Sequence, residues 1–158
     1  MPAHEPGLDE PQRLELQSLA QRIPLHAGRG GIFILTASSD RTLRAVEDEL
    51  QRLVDPIKLV ALPNDPDDPL MVLRGLVEEV TFDPAQVLFT LDLSKRETKD
   101  FIRTLVALNL RREYVPDFKV MLLVWLRPNQ YERFQDMAKD FWSFRSAVAR
   151  FDDAEPEP

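Results

Sequence analysis

The sequence predicts an α/β fold in which about five parallel strands form the middle layer and helices cover both faces. Three observations carry this prediction. Strand-length apolar runs alternate with amphipathic helical spacing along most of the 158 residues. A single helix separates each strand from the next, as parallel crossovers require. The stretch FKVMLLVWL, residues 118–126, is almost wholly apolar, which suits a central strand buried on both sides.

In chain order, PQRLELQSLAQRI at 11–23 spaces Leu14, Leu16, Leu19 and Ile23 loosely along one helix stripe. His26-Ala27-Gly28-Arg29-Gly30-Gly31 breaks it and leads into a first strand at 31–37. Leu43, Val46, Leu50 and Leu53 mark an amphipathic helix at 40–54, which Asp55-Pro56 stops. IKLVAL, 57–62, is the second strand. After a loop rich in proline and aspartate, Asp68 is the N-cap of a helix whose first turn holds Pro69. Leu70, Leu73, Leu76, Val77 and Val80 give that helix its buried face. QVLFTLDL, 86–93, is the third strand. Ser94-Lys95-Arg96-Glu97 matches a capping box, so the next helix is expected to begin at once and run to about 113. The fourth strand, 118–126, is followed by Pro128-Asn129 and a helix to about 139. For DFWSFRSAVARFD a turn and a fifth strand at 147–151 are preferred over an extended helix.

Charge and composition narrow the function. The acidic ends, 1–12 and 152–158, account for the formal net charge of -7 and read as disordered tails, leaving a single neutral domain at 13–151. A neutral domain without a basic run argues against nucleic acid as a partner. No apolar stretch is long enough to span a bilayer and the first residues lack a signal-peptide pattern, so no membrane association and a cytoplasmic location are expected. The absence of cysteine removes disulfides, thiolate metal sites and a cysteine nucleophile. His4 lies in a tail and His26 in the glycine-rich lead-in, where a lone solvated imidazole is expected. No metal site follows from either.

Sites in such folds lie at the carboxyl ends of the strands. The first turn, Thr36-Ala37-Ser38-Ser39-Asp40-Arg41, has neither the glycines nor the lysine of a G-x-x-x-x-G-K-[ST] phosphate loop. Ser39 or Asp40 can cap the following helix, and a carboxylate there fills the positive helix end from within. At the next strand end, VLFTLD places Asp92 where a magnesium-binding aspartate would stand, although an aspartate capping a loop looks the same. Leu93 follows it and cannot activate water. Arg111 and Arg112 at a helix C-terminus satisfy the macrodipole, or reach an anion or a partner. Of Phe141, Trp142 and Phe144, one or two pack on the sheet and another is left as a surface anchor, with Arg145 beside it.

LFTLDLS, ALNLRREY, VMLLVWLRP and DFWSFRS, in this order, resemble the nucleotide-binding core of bacterial STAND ATPases, relatives of the AAA+ proteins, and most closely a degenerate, inactive branch found in bacterial conflict and signalling systems. The resemblance covers about residues 14–151. It implies a P-loop-NTPase-like sheet of order 2-3-4-1-5, with residues 36–41 at the Walker A position and Asp92 at the Walker B position. Ser38, Ser39, Asp40 and Asp92 would then be the remnant of a nucleotide site that has lost its phosphate grip. It further implies self-association through the flanks of the domain. The expectation is a non-enzymatic protein-interaction or adaptor domain without a cofactor, whose partners are other proteins, including a second copy. The alternative is a regulatory domain that binds a nucleotide or another anion without hydrolysis, through Arg111, Arg112 and the Ser38 and Ser39 backbone. No acid–base pair or nucleophile is arranged for another kind of enzyme.

Overall fold

The computed structural model describes residues 7–63, 68–79 and 82–152. Five strands, β1 (Gly31–Ala37), β2 (Lys58–Ala61), β3 (Val87–Asp92), β4 (Met121–Leu126) and β5 (Ala147–Phe151), form one sheet of order β2-β3-β4-β1-β5. Every neighbouring pair is parallel. This is the strand order that the sequence resemblance implies.

Strand pleating divides the core in two. Phe33 and Leu35 of β1, with Met121, Leu123 and Trp125 of β4, face α1 (Glu10–Arg22) and α2 (Asp40–Val54). Ile32 and Ile34, with Leu122, Val124 and Leu126, face the other layer. That layer holds α3 (Pro69–Glu79), α4 (Thr98–Leu110), α5 (Tyr114–Phe118), α6 (Tyr131–Met137) and α7 (Lys139–Ser143). All six residues of β4 are buried, so shortening one creates a cavity on whichever side it faces. Leu123→Ala would cost about 2–5 kcal/mol by that route.

β1, α2 and β5 have the bounds that the sequence predicts. Elsewhere the chain departs from expectation. Residues upstream of 13 take part in α1: Asp9 and Gln12 close a capping box, with Asp9 Oδ1 accepting from the Gln12 amide at 2.8 Å and the Asp9 amide donating to Gln12 Oε1 at 3.0 Å. Leu8 is buried against the core. At the other end the Thr36 hydroxyl donates to Asp152 at 2.7 Å, which draws Asp152 into the domain. Residues 1–6 and 153–158, the rest of the expected tails, lie outside the described residues, as does Val80.

Ser94 does not cap a helix. Its amide and hydroxyl both donate to Asp92 Oδ1, and α4 starts later, at Thr98. α4 also stops at Leu110, and the expected start of β4 is instead the end of a short helix, α5. Lys119, at φ 56°, turns the chain out of α5 in a left-handed conformation before β4 begins. His26 is not free in solvent. Its Nδ1 lies 3.2 Å from the Gly30 carbonyl, and its ring meets Phe33 edge-on at 5.4 Å. The backbone beneath it must come close, since a Cβ on Gly31 would lie 3.0 Å from the imidazole.

Candidate functional site

The carboxyl ends of β1, β3 and β4 meet at one edge of the domain. Only Ser38 and Ser39 separate the end of β1 from the first residue of α2. Ser39 is the N-cap: its hydroxyl oxygen accepts from the Thr42 amide at 3.2 Å. Asp40, the first residue of α2, faces Lys95 from the β3–α4 connection at 3.5 Å, and both side chains are more than half exposed. Beside this pair lies an open hollow of about 260 Å³, walled by Ser38, Ser39, Asp40, Ser94, Lys95 and Arg127. That volume falls below the roughly 300–1,000 Å³ typical of ligand clefts. Arg127 donates to the Arg96 carbonyl at 3.4 Å, so part of its guanidinium is turned along the protein surface.

At the end of β3, Asp92 is half-buried and holds the Ser94 turn. Leu93 is fully buried in the opposite core layer, and its backbone is tied down: its amide donates to the Trp125 carbonyl at 3.0 Å and its carbonyl accepts from Gln130 Nε2 at 3.0 Å. No side chain at position 93 reaches the crevice.

A third carboxylate lies beneath Asp92. Glu47 sits on α2 between Leu43 and Leu50, within the stripe that packs on the sheet. Burial pushes its carboxyl above the ordinary 4.5; the approaching Trp125 indole N–H pulls it back, and the charges of Asp92 and Asp48 push it up again. Trp125 is fully buried, and its Nε1 closes no well-formed hydrogen bond, so Glu47 receives less help than a direct bond would give. The sequence carried a signal for Glu47: a carboxylate spaced into an apolar helix face. Among the described residues no group of three or more acidic or histidine side chains is placed to hold a metal.

Arg111 and Arg112 lie at the other end of the molecule. They adjoin α5, whose Val115 carbonyl would be 3.2 Å from a Cβ on Gly30, just ahead of β1. They cannot converge with the Ser38 and Ser39 backbone on one anion, because α4 alone spans about 20 Å. Each has an internal partner. Arg111 Nε donates to Asp68 at 2.7 Å and its guanidinium lies 5.8 Å from the Tyr114 ring; Arg112 donates to the Asn109 carbonyl at 2.8 Å and lies 3.9 Å from Asp140. The bond to a carbonyl of the last turn of α4 is the macrodipole role.

Asn109, inside ALNLRREY, reaches further. Its Oδ1 accepts from the backbone amides of Asp140 at 2.9 Å and Phe141 at 3.0 Å. It therefore caps α7 from outside, and this bond joins two stretches the resemblance picks out separately, ALNLRREY and DFWSFRS. The capped helix sorts its aromatics. Phe141 is fully buried, Trp142 is half-buried and Phe144 is 38% exposed. Arg145 stacks 4.5 Å over Trp142, Trp142 meets Tyr131 edge-on at 5.4 Å, and Arg150 stacks 4.5 Å over Tyr131. The four side chains form a continuous column along β5, cationic at both ends. Tyr131 and Arg150 entered it without a sequence signal, because only folding brings them to Trp142.

No family model matches the chain, and no curated protein matches it. Among solved structures, the crystal structure of a DNA polymerase III gamma subunit-related protein from Thermotoga maritima matches with a TM-score of 0.55 at 14% identity. The match covers 90% of this chain and 47% of that one, so the chain spans about half the length of the structure it resembles. Likeness at this identity concerns the fold alone: a parallel α/β sheet of order 2-3-4-1-5 with helices on both faces.

Proposed function

We propose that this chain is a non-catalytic, P-loop-like protein-interaction domain, an adaptor of the degenerate STAND kind in bacterial signalling or conflict systems. One observation carries the reading: the connection from β1 to α2 is reduced to Ser38 and Ser39. A phosphate loop wraps its anion with the stretch between its glycines, so that several backbone N–H groups converge and a lysine closes the cradle. Between Ala37 and Asp40 there is no such stretch. The helix end is occupied by the Ser39 hydroxyl, with the Asp40 carboxylate beside it, and a triphosphate would meet that negative charge. Leu93, buried at the position after Asp92, supplies no base.

What remains for function is surface. The column Arg145, Trp142, Tyr131 and Arg150 is the best equipped part, because arginine and aromatic side chains dominate protein contacts. Its partners are other proteins, a second copy included. The test is to incubate the purified chain with ATP and magnesium, following phosphate release and melting temperature. No release and no shift are expected. Turnover that Asp92→Ala abolishes would defeat the proposal. Trp142→Ala and Arg145→Ala should weaken partner capture without lowering expression; capture untouched by both would reduce the column to packing.

The second reading, an anion- or nucleotide-binding regulator, draws on Lys95 and Arg127 at the hollow. It requires a saturable, salt-sensitive rise in melting temperature with nucleotide.

A further inference from the structure

β2 ends the sheet on one side, and Lys58, Val60 and Ala61 are exposed there. In a parallel pair, alternate residues turn their backbone groups toward the neighbour and away from it. The Leu62 amide donates to the Thr90 carbonyl at 2.8 Å, which sets the even-numbered residues toward β3 and leaves 57, 59 and 61 facing outward. Such an edge is a template for another strand. Here its first groups are already taken, by a side chain from α2. Gln51 Nε2 donates to the Ile57 carbonyl at 2.7 Å, and Gln51 Oε1 accepts from the Leu59 amide at 2.9 Å. One donor and one acceptor, set against residues two apart, reproduce what the N–H and C=O of one residue in an adjoining parallel strand would present.

We propose that Gln51 is an edge guard, which holds shut a surface of β2 that would otherwise pair with β2 of a second copy. The strand is complementary to itself. Antiparallel pairing about a two-fold axis at Leu59 would join each Leu59 amide to the opposing Leu59 carbonyl, and each Ala61 amide to the opposing Ile57 carbonyl. Every one of those bonds uses either the Leu59 amide or the Ile57 carbonyl, the two groups Gln51 holds. Side chains raise no objection: Lys58 would fall opposite Val60 of the second copy, so like charges do not meet, and Val60, 41% exposed, would gain cover. The inference does not depend on the adaptor reading, since it concerns the opposite flank from the aromatic column.

The experiment is light scattering at high protein concentration, with far-UV circular dichroism as the check on fold. Gln51→Ala removes both bonds. Gln51→Met removes them while keeping side-chain length and helix propensity. Both variants should show a doubled mass relative to the native chain. Adding Val60→Lys, which sets a lysine opposite Lys58 of the second copy, should return the mass to the native value. Three results would overturn the proposal: native mass in both variants with a native spectrum, association that survives Val60→Lys, or loss of the fold in both. The last would make the Gln51 amide a structural requirement of β2 instead of a guard. If only the alanine variant unfolds, the methionine variant decides by the same criteria.

Discussion

Asn109→Ala tests how α7 is held. The substitution deletes the one oxygen that receives the Asp140 and Phe141 amides, at 2.9 and 3.0 Å. Both belong to the first turn of a five-residue helix, too short to stand without a cap. A net hydrogen bond contributes about 0.5–1.5 kcal/mol and a lost N-cap about 0.5–2 kcal/mol. Two bonds to partly solvated amides therefore place the loss at about 1–2 kcal/mol. For a domain of this size, 1 kcal/mol lowers Tm by roughly 2–4 °C, so calorimetry should find a fall of about 3–6 °C. Hydrogen exchange gives the local readout: the Asp140 and Phe141 amides should exchange faster, while those of β4 change only with the global shift. Asn109→Asp keeps an acceptor oxygen but sets its second oxygen where the Asn109 side-chain N–H now meets Asp140 Oδ2 at 3.5 Å, so it should recover only part of the protection. An unchanged Tm together with unchanged exchange at Asp140 and Phe141 would refute the capping argument.

Three further expectations follow from the same reasoning. The folded carboxyl of Glu47 lies above its ordinary 4.5, so it stays protonated longer in the folded than in the unfolded chain; stability contributed by Glu47 is full below that value and is lost as pH rises through the folded pKa. Glu47→Gln should remove this slope and raise Tm at neutral pH, measured by melting across the mildly acidic range, and an unaltered slope would contradict the buried placement. Arg111→Met breaks the part-exposed pair with Asp68, which solvent screens, so the urea midpoint should fall only slightly; a large fall would show that the pair holds the α3–α4 packing. Asp40→Ala removes the carboxylate but leaves the two-serine connection, so ATP should still cause no melting shift; a shift would show that charge, not loop length, closes the site.

The fold could be read from the chain because its signals are local. An unbroken apolar run is central wherever it sits, and the serine and aspartate at 39–40 start α2 without help from elsewhere. Local rules failed where two of them competed. Ser94-Lys95-Arg96-Glu97 has a capping-box pattern, yet Asp92 lies two residues upstream and takes the Ser94 hydroxyl and amide first. Phe118 extends an apolar run by composition but closes α5, because Lys119 adopts the left-handed turn. The partners of Arg111 and Asn109 were out of reach for another reason: Asp68 and Asp140 are distant in sequence, and only the packing of α3 and α7 against α4 brings them near. For the candidate site, the missing lysine and glycines were visible in the residues themselves. The ion pair of Asp40 with Lys95 was not, since it crosses between two strand ends.

The chain holds two tryptophans, and the fold gives them opposite surroundings: Trp125 is sealed between sheet and α2, whereas Trp142 lies half-open beneath a guanidinium. Their fluorescence should therefore separate into a blue, quencher-shielded component and a redder one that iodide can reach. Detachment of α7 alone would move the second and spare the first, and collapse of the whole domain would move both. The protein thus reports optically on its own partial opening, with no label attached.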